Sequence, residues 1–169
     1  MTKVVSLYAS RSPMYEDLNR RASDYAKDLG FEYVWAPHDD YSDEYAIEQL
    51  KDADAGIIDV DPFDKKIFSQ LGDRCRLLVR YGVGFDAVNL ADATEEGIAI
   101  ARTAGANAES VAEMALALIM AAKRQLLLNQ RIVDAGAWDH NIGGELLGKK
   151  VGILGFGAIG RRLARLLGG

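Results

Sequence analysis

The sequence lacks several features that would place it in a special class of protein. Its 169 residues include one cysteine, Cys75, so no intramolecular disulfide can form, and the cytoplasm is the expected compartment. No run of about 18 apolar residues occurs, so we expect no membrane span. The first residues show no signal-peptide pattern. Histidine, cysteine and carboxylate residues do not cluster at metal-ligand spacing, so we expect no metal site.

Negative charge exceeds positive charge, with 25 acidic residues against 20 lysines and arginines. The net charge of -5 argues against general binding to nucleic acid. The basic residues are unevenly placed, since residues 146–169 hold five lysines and arginines and no acidic residue. This basic stretch fits both a solvated helix face and a local field that attracts an anionic cofactor. The hydrophobic content of 49% is typical of a globular protein.

The first hundred residues alternate between strand and helix patterns. Strict alternation with short loops predicts a parallel sheet with helices on both faces, and five strands favour a flavodoxin-like α/β sheet. The predicted strands are Val4–Tyr8, Phe31–Trp35, Ala55–Val60, Arg76–Arg80 and Ile98–Ala101. The predicted helices run from Pro13 to Gly30, from Ser42 or Asp43 to Leu50, over Asp64–Leu71, and from Asn89 to Gly97.

The pattern changes after this region, and we place a domain boundary near residues 102–107, between a domain over 1–101 and one that begins at 102. Ser110–Glu113 (SVAE) has the form of a capping box, which predicts a helix from about Val111 to Asn129. This helix is apolar on nearly every side through Ala122, so we expect other elements or a partner chain to enclose it. A glycine-rich loop then leads to a predicted strand at Val151–Leu154.

The most informative motif is Gly155–Gly160 (GFGAIG), which lies between that predicted strand and a helix. In such a turn the first glycine allows the tight bend, the second lets a pyrophosphate approach the backbone, and the third packs helix on strand. An acidic residue that binds the ribose would follow about 20 residues later, beyond Gly169. The motif alone is weak evidence, but the flanking patterns strengthen it.

Two further segments combine turns with polar residues. Arg80–Asp86 (RYGVGFD) places two glycines after a strand, where consecutive backbone amides could bind a carboxylate. An ordinary strand-to-helix turn explains it equally well. Thr103–Asn107 (TAGAN) directly precedes the apolar helix and could be a simple connecting loop.

Taken in order, four stretches resemble the D-isomer-specific 2-hydroxyacid dehydrogenases, most closely their phosphoglycerate dehydrogenase-like branch. They are Arg80–Leu90, Ala93–Ile98, Arg102–Glu113 and Gly148–Gly160. The resemblance covers essentially the whole chain, and one departure is Ala104, where the family usually has proline. It implies a flavodoxin-like substrate domain over residues 1–101 and the start of a Rossmann NAD-binding domain over residues 102–169, with the active site between two domains. It also implies a homodimer formed through residues 102–169.

The resemblance implies residue roles as well. The amides of Val83 and Gly84 would bind the substrate carboxylate, with Val83 also near the nicotinamide, and Asn107 would lie at the cleft. The cofactor, NAD with NADP as the alternative, would be held by Gly155, Gly157, Ala158, Ile159 and Gly160. The family's catalytic arginine, glutamate and histidine would follow residue 169. Neither His38 nor His140 matches that histidine, and both are expected at the surface.

Two hypotheses of function follow. In the first, the sequence is the N-terminal part of an NAD(P)-dependent oxidoreductase that acts on the CH–OH group of a 2-hydroxy acid, and it is inactive alone. In the second, it is a ligand-binding or interaction module without catalysis. Cys75 is expected to be a small structural residue, since no histidine and asparagine pattern accompanies it.

Overall fold

The computed structural model describes residues 1–7, 13–38 and 40–168. The chain divides into two compact units, Met1–Ala104 and Gly105–Gly169. All strands found among the described residues lie in the first unit. Tyr8, predicted at the end of the first strand, and Asp39 in the acidic loop lie outside the described residues.

The first unit is a five-stranded parallel sheet with the strand order β2-β1-β3-β4-β5. This is the flavodoxin-like order, so the predicted fold of this unit is confirmed. The strands are β1 (Lys3–Ser6), β2 (Glu32–Trp35), β3 (Ala55–Ile58), β4 (Leu77–Arg80) and β5 (Ala99–Arg102). The register is in phase across the sheet, with Val4 beside Ala55, Ala55 beside Leu77, and Leu77 beside Ala99.

The helices of this unit begin where the sequence predicts. They are α1 (Pro13–Asp28), α2 (Asp43–Leu50), α3 (Lys65–Phe68) and α4 (Leu90–Glu95). Ser42 caps α2 by accepting a hydrogen bond from the amide of Tyr45 at 3.1 Å. Asp64 and Asn89 cap α3 and α4 in the same way. A short polar side chain before each helix satisfies an amide that has no acceptor within the helix.

The core of the first unit lies between the sheet and these helices. Its largest fully buried side chains are Leu7, Leu50, Ile58, Phe63, Ile67, Phe68, Leu71 and Leu78. Cys75 is buried among them, and burial raises the pKa of its thiol to about 11. A protonated thiol enclosed in the core is a weak nucleophile, so Cys75 is a packing residue, as predicted.

Asp54 stabilises the edge of the sheet at which the strands begin. Its carboxylate accepts hydrogen bonds from the amide of Lys3 at 2.6 Å and from Nε of Arg74 at 3.0 Å. The contact with Arg74 is the main reason why the pKa of Asp54 falls to about 2. One acidic side chain therefore joins the starts of β1 and β3 to the loop before β4.

The second unit contains α5 (Ala108–Lys123), α6 (Leu126–Asp134) and α7 (Ala158–Gly168). The single helix predicted from Val111 to Asn129 is wrong, because Gln125 adopts a left-handed conformation with φ of 53° and ends α5. Residues 141–144 pack against this break. The amide of Gly144 donates to the carbonyl of Lys123 at 2.8 Å, and that of Asn141 donates to Asn129 at 2.6 Å.

Two other predictions for this unit are wrong. Ser110 and Glu113 form no capping box, because the turn that includes Gly105 starts the helix at Ala108 and leaves Ser110 inside it; Asn107 occupies the N-cap position without a side-chain hydrogen bond. Residues 151–154 form no strand in the structure, and Leu154 is fully exposed. A strand needs hydrogen bonds to a neighbouring strand, and the described part of unit 2 contains none.

Helix α5 is less enclosed than its composition suggests. Met114 and Leu118 are 60% and 61% exposed, so the described elements of the chain leave this side of α5 uncovered. Enclosure of α5 by a partner chain therefore remains a prediction. None of the helices among the described residues combines the length and apolarity needed to cross a bilayer.

Candidate functional site: two glycine turns

The first glycine turn, Tyr81–Asp86, begins where β4 ends. The carboxyl ends of parallel strands meet at one edge of a sheet, which is where ligands of open α/β sheets bind. The segment that follows β3 lies beside this turn, because the amide of Phe63 donates to the carbonyl of Ala87 at 2.9 Å and the amide of Asn89 donates to the carbonyl of Phe63 at 2.8 Å. The polar residues after β3 and β4 are thereby brought together.

Gly82 is required by its backbone conformation, which side chains rarely adopt, and Arg80 folds back over the space beside it. A Cβ atom at Gly82 would lie 1.3 Å from Nη1 of Arg80, and the φ of Gly82 is 145°. The same nitrogen donates to the carbonyl of Tyr81, while Nη2 lies 3.9 Å from the carboxylate of Asp59. Arg80 therefore fixes the shape of the turn from inside.

The turn leaves two backbone amides available. None of the described residues accepts a hydrogen bond from the amide of Val83 or Gly84. The carbonyl oxygen of Val83 already has a partner, since it accepts a hydrogen bond from Arg102 at 2.6 Å. Arg102 also lies 4.9 Å from the ring of Phe85. Two adjacent free amides held in a rigid turn can bind an anionic oxygen.

A charged cluster after β2 and β3 was not recognised from the sequence. His38 is buried, which makes its predicted surface position wrong, and its Nε2 lies 3.4 Å from Asp61. Its ring contacts Tyr41 and Tyr45 edge-on at 5.8 and 5.9 Å. Burial raises the pKa of Asp59, an effect that Arg80 opposes and Asp61 reinforces. The signal in the sequence that could have revealed this cluster is that acidic residues directly follow the apolar strand β3.

The second glycine turn, Gly155–Gly160, has the geometry that the motif predicts. Gly155 bends the chain with φ of 92°. A Cβ at Gly157 would meet no atom within 4 Å, so the backbone there is open to a ligand. A Cβ at Gly160 would lie 2.2 Å from the carbonyl oxygen of Gly155, so only glycine lets α7 pack this closely. The three glycines thus fit a dinucleotide pyrophosphate.

Helix α7 adds amides and positive charge to this turn. The helix begins at Ala158. Its first amide with a backbone acceptor is that of Arg161, which donates a hydrogen bond to the carbonyl of Gly157 at 3.1 Å. The amides before it are free, as at any helix N-terminus, and they favour an anion. Arg161 donates to the carbonyl of Phe156 at 3.3 Å, and Arg162 pairs with Glu109 of α5 at 2.9 Å. The first contact joins α7 to the glycine turn, and the second joins α7 to α5.

The remaining candidate residues belong to neither glycine turn in the sequence. Asn107 is exposed at the start of α5. His140 is exposed in the segment between α6 and α7, as predicted, and its amide donates to Asp139. Within the described ranges, no three histidine, cysteine or acidic side chains are placed to hold a metal ion.

Comparison with known proteins gives one family. The family described as D-isomer specific 2-hydroxyacid dehydrogenase, catalytic domain, matches residues 13–158. A glyoxylate reductase of Korarchaeum cryptofilum is 33% identical over 139 residues, which is 78% of this chain and 42% of that protein. The chain therefore spans less than half the length of this curated relative.

Two solved structures are similar over nearly the whole chain. The NAD-dependent formate dehydrogenase of Staphylococcus aureus in complex with NAD has a TM-score of 0.80 and 26% identity, over 98% of this chain and 53% of that one. The NAD⁺-bound 3-phosphoglycerate dehydrogenase of Entamoeba histolytica has a TM-score of 0.75 and 25% identity, over 99% and 50% respectively.

Proposed function

Since the chain belongs to the D-isomer specific 2-hydroxyacid dehydrogenase family, we propose that it is the N-terminal part of an NAD(P)-dependent oxidoreductase that acts on the CH–OH group of a 2-hydroxy acid. The observation that carries the proposal is the turn at Gly155–Gly160. Each of its three glycines meets a separate steric condition for binding a pyrophosphate. The NAD complexes of two similar structures support NAD as the cofactor, with NADP as the alternative.

In this proposal the second unit binds the nucleotide. The amides of Gly157, Ala158, Ile159 and Gly160 hold the pyrophosphate, and the positive end of the α7 dipole stabilises its charge. Arg161 adds a cation to the same turn. When bound, the cofactor supplies the nicotinamide carbon that exchanges hydride with C2 of the acid. Residues 102–169 are thus proposed as the beginning of a Rossmann domain.

The first unit, proposed as the substrate domain over residues 1–101, binds the acid. Its carboxylate is held by the free amides of Val83 and Gly84, which Arg80 keeps in place from below the turn. Asn107 is proposed as a further substrate-binding residue, since its side chain is not used to cap α5. We place the enzyme in the cytoplasm, because its one thiol is buried and unpaired.

Residues 1–169 are proposed to bind ligands without turnover. General acid–base catalysis at the substrate oxygen needs a titratable group within hydrogen-bond reach. The two histidines of the chain belong to neither glycine turn, since His38 is buried beside Asp61 and His140 lies in the segment after α6. No catalytic residue is therefore assigned in this chain.

The proposal is tested by calorimetric titration of NAD⁺ into the 169-residue chain, together with an assay of NADH oxidation with glyoxylate and hydroxypyruvate. We expect saturable binding of one NAD⁺ per chain and no oxidation above background. Oxidation above background would contradict the assignment of catalysis to groups outside this chain. The absence of NAD⁺ binding, with small carboxylates still bound, would favour a binding module.

We also propose that two copies of the chain associate through residues 102–169. The support is an apolar face on α5 and α6, here called the α5–α6 face, formed by Leu118, Leu127 and Leu128, with Met114 one turn before Leu118. A hollow of about 400 Å³ within it is lined by Leu118, Leu127 and neighbouring alanines. An apolar surface of this kind on a globular chain marks an interaction site.

Replacing Leu118 with glutamate is therefore expected to convert a dimer into a monomer, because a buried unpaired carboxylate is strongly unfavourable in an apolar interface. Light scattering at tens of micromolar should give twice the mass of one chain for the original protein and a single mass for the variant. Leu29→Glu is the control. Leu29 is 51% exposed and lies between α1 and β2 of the first unit, so this change should leave the dimer intact. A monomeric original chain would contradict the proposal.

A further inference from the structure

A small cavity lies beside the free amide of Gly84. Its volume is about 210 Å³, and its lining includes Asp59, Arg80, Gly84, Phe85 and Asp86. A water molecule occupies about 30 Å³ of liquid, so the space admits several non-hydrogen atoms. A carboxylate held by Val83 and Gly84 would leave the rest of a small acid next to this cavity. Size alone does not decide which groups enter it.

The charges around the cavity are predominantly negative. Asp59 and Asp86 are both part of the lining, and Asp61 is close enough to Asp59 to raise its pKa. Arg80 is the one cation among the described residues that line the space. It is already engaged, since it donates to the carbonyl of Tyr81 and lies 3.9 Å from Asp59. No free cation is therefore available for a second anionic group of a ligand.

We propose that Asp59 determines substrate specificity by restricting this cavity to uncharged substituents, so that the chain accepts 2-hydroxy acids with a hydrogen, alkyl or hydroxyl-bearing tail and rejects phosphorylated ones. The inference rests on the proposed function and deepens it by naming the substrate class. The known relatives do not decide this point, since one is a glyoxylate reductase and another a 3-phosphoglycerate dehydrogenase.

The physical basis is the cost of placing a phosphate beside a carboxylate. The Asp59 side chain is 25% exposed and that of Arg80 is 15% exposed, so solvent screens their interactions with a ligand only in part. A phosphate would have to break Arg80 away from Asp59 to gain a partner, and that would leave the Asp59 carboxylate without its cation. A hydroxyl group has no such requirement, because it can donate to Asp59.

The test compares D-glycerate with D-3-phosphoglycerate, which differ only in the phosphate. Both are titrated at constant ionic strength into the ¹⁵N-labelled 169-residue chain, and the amide shifts of Val83 and Gly84 give the two dissociation constants. We expect D-glycerate to bind at least about tenfold more tightly. Asp59→Asn should reduce this ratio about fivefold or more, and Asp86→Asn should reduce it less, since Asp86 is exposed.

Asp73→Asn is the matched control, because it removes the same charge from a fully exposed site that lies outside the lining of the cavity. It should leave the ratio unchanged. Equal binding of both acids, preference for the phosphorylated acid, or a ratio that neither Asp59→Asn nor Asp86→Asn reduces would overturn the inference. So would the absence of shifts with either acid. A parallel NAD⁺ titration followed at residues 155–160 then shows separately whether the dehydrogenase assignment stands.

Discussion

Replacing Gly157 with alanine is expected to weaken NAD⁺ binding roughly 100-fold without changing the fold. A Cβ at this position meets no protein atom within 4 Å, so the substitution creates no clash inside the chain. It does occupy the space through which a pyrophosphate approaches the backbone. The loss of one or two charge-assisted hydrogen bonds, each worth about 1.5–3 kcal/mol, accounts for a change of this size.

Gly160→Ala provides the contrasting result. Its Cβ would lie 2.2 Å from the carbonyl oxygen of Gly155, and neither backbone can move without shifting α7 or the turn. Alanine inside a helix is otherwise favoured over glycine by about 1 kcal/mol, so a lower melting temperature would be due to the clash. We expect both the stability of the second unit and its affinity for NAD⁺ to fall.

Circular dichroism melting and calorimetry measure the two effects. Gly152→Ala is the control, since its Cβ also meets nothing within 4 Å and it lies before the turn; it should bind NAD⁺ as the original chain does. If Gly157→Ala bound NAD⁺ with unchanged affinity, the pyrophosphate could not lie against this part of the backbone.

Replacing Phe68 with alanine is expected to lower the free energy of unfolding of the first unit by about 3–5 kcal/mol. The side chain is 1% exposed and belongs to the core that joins α3 to the sheet. Its ring also packs against that of Phe63, with centroids 6.1 Å apart. Truncation removes the apolar contacts and leaves a cavity that the surrounding helices can close only partly.

Urea unfolding followed by the fluorescence of Trp35 measures this loss. Trp35 lies at the end of β2 and is partly buried, whereas Trp138, in the second unit, is fully exposed. The control is Phe31→Ala, because Phe31 is 40% exposed and should cost less than about 1.5 kcal/mol. Equal losses for the two variants would show that Phe68 does not lie in a packed core.

Most of the first unit is predictable from the sequence because its signals are local. The strands are apolar runs between turn residues, and Ser42, Asp64 and Asn89 each cap the helix that follows them. Because strands and helices alternate along the chain, only a few sheet topologies are possible. The observed ends of the strands differ from the predicted ends by one or two residues, because hydrogen bonding to neighbouring strands decides where a strand stops.

The second unit is less predictable because its structure depends on contacts distant in sequence. Nothing near Gln125 predicts a break, yet residues 141–144 pack against it and satisfy the carbonyl of Lys123. Ser110 matches a capping pattern, but a turn at Gly105 starts the helix earlier. At residues 151–154 an apolar run predicts a strand, and the described chain supplies no partner for one.

The candidate site shows the same division. Both glycine turns follow from local spacing, and the structure requires glycine at Gly82 and Gly155 for their positive φ and at Gly160 for its close packing. The cluster of His38, Asp59, Asp61 and Arg80 has no local pattern, because its members come from the ends of β2, β3 and β4. The pairing of β3 with β4 in the sheet brings Asp59 and Arg80 together beside Gly84.

The turn at Gly155–Gly160 is proposed to bind the pyrophosphate of NAD(P). The most direct measurement is an NMR titration of NAD⁺ into the ¹⁵N-labelled chain, with every backbone amide followed. We expect saturable shifts that are largest at Gly157–Gly160 and absent from the same titration of Gly157→Ala. Saturable binding with its largest shifts elsewhere, or no shift at these amides at millimolar NAD⁺, would contradict it.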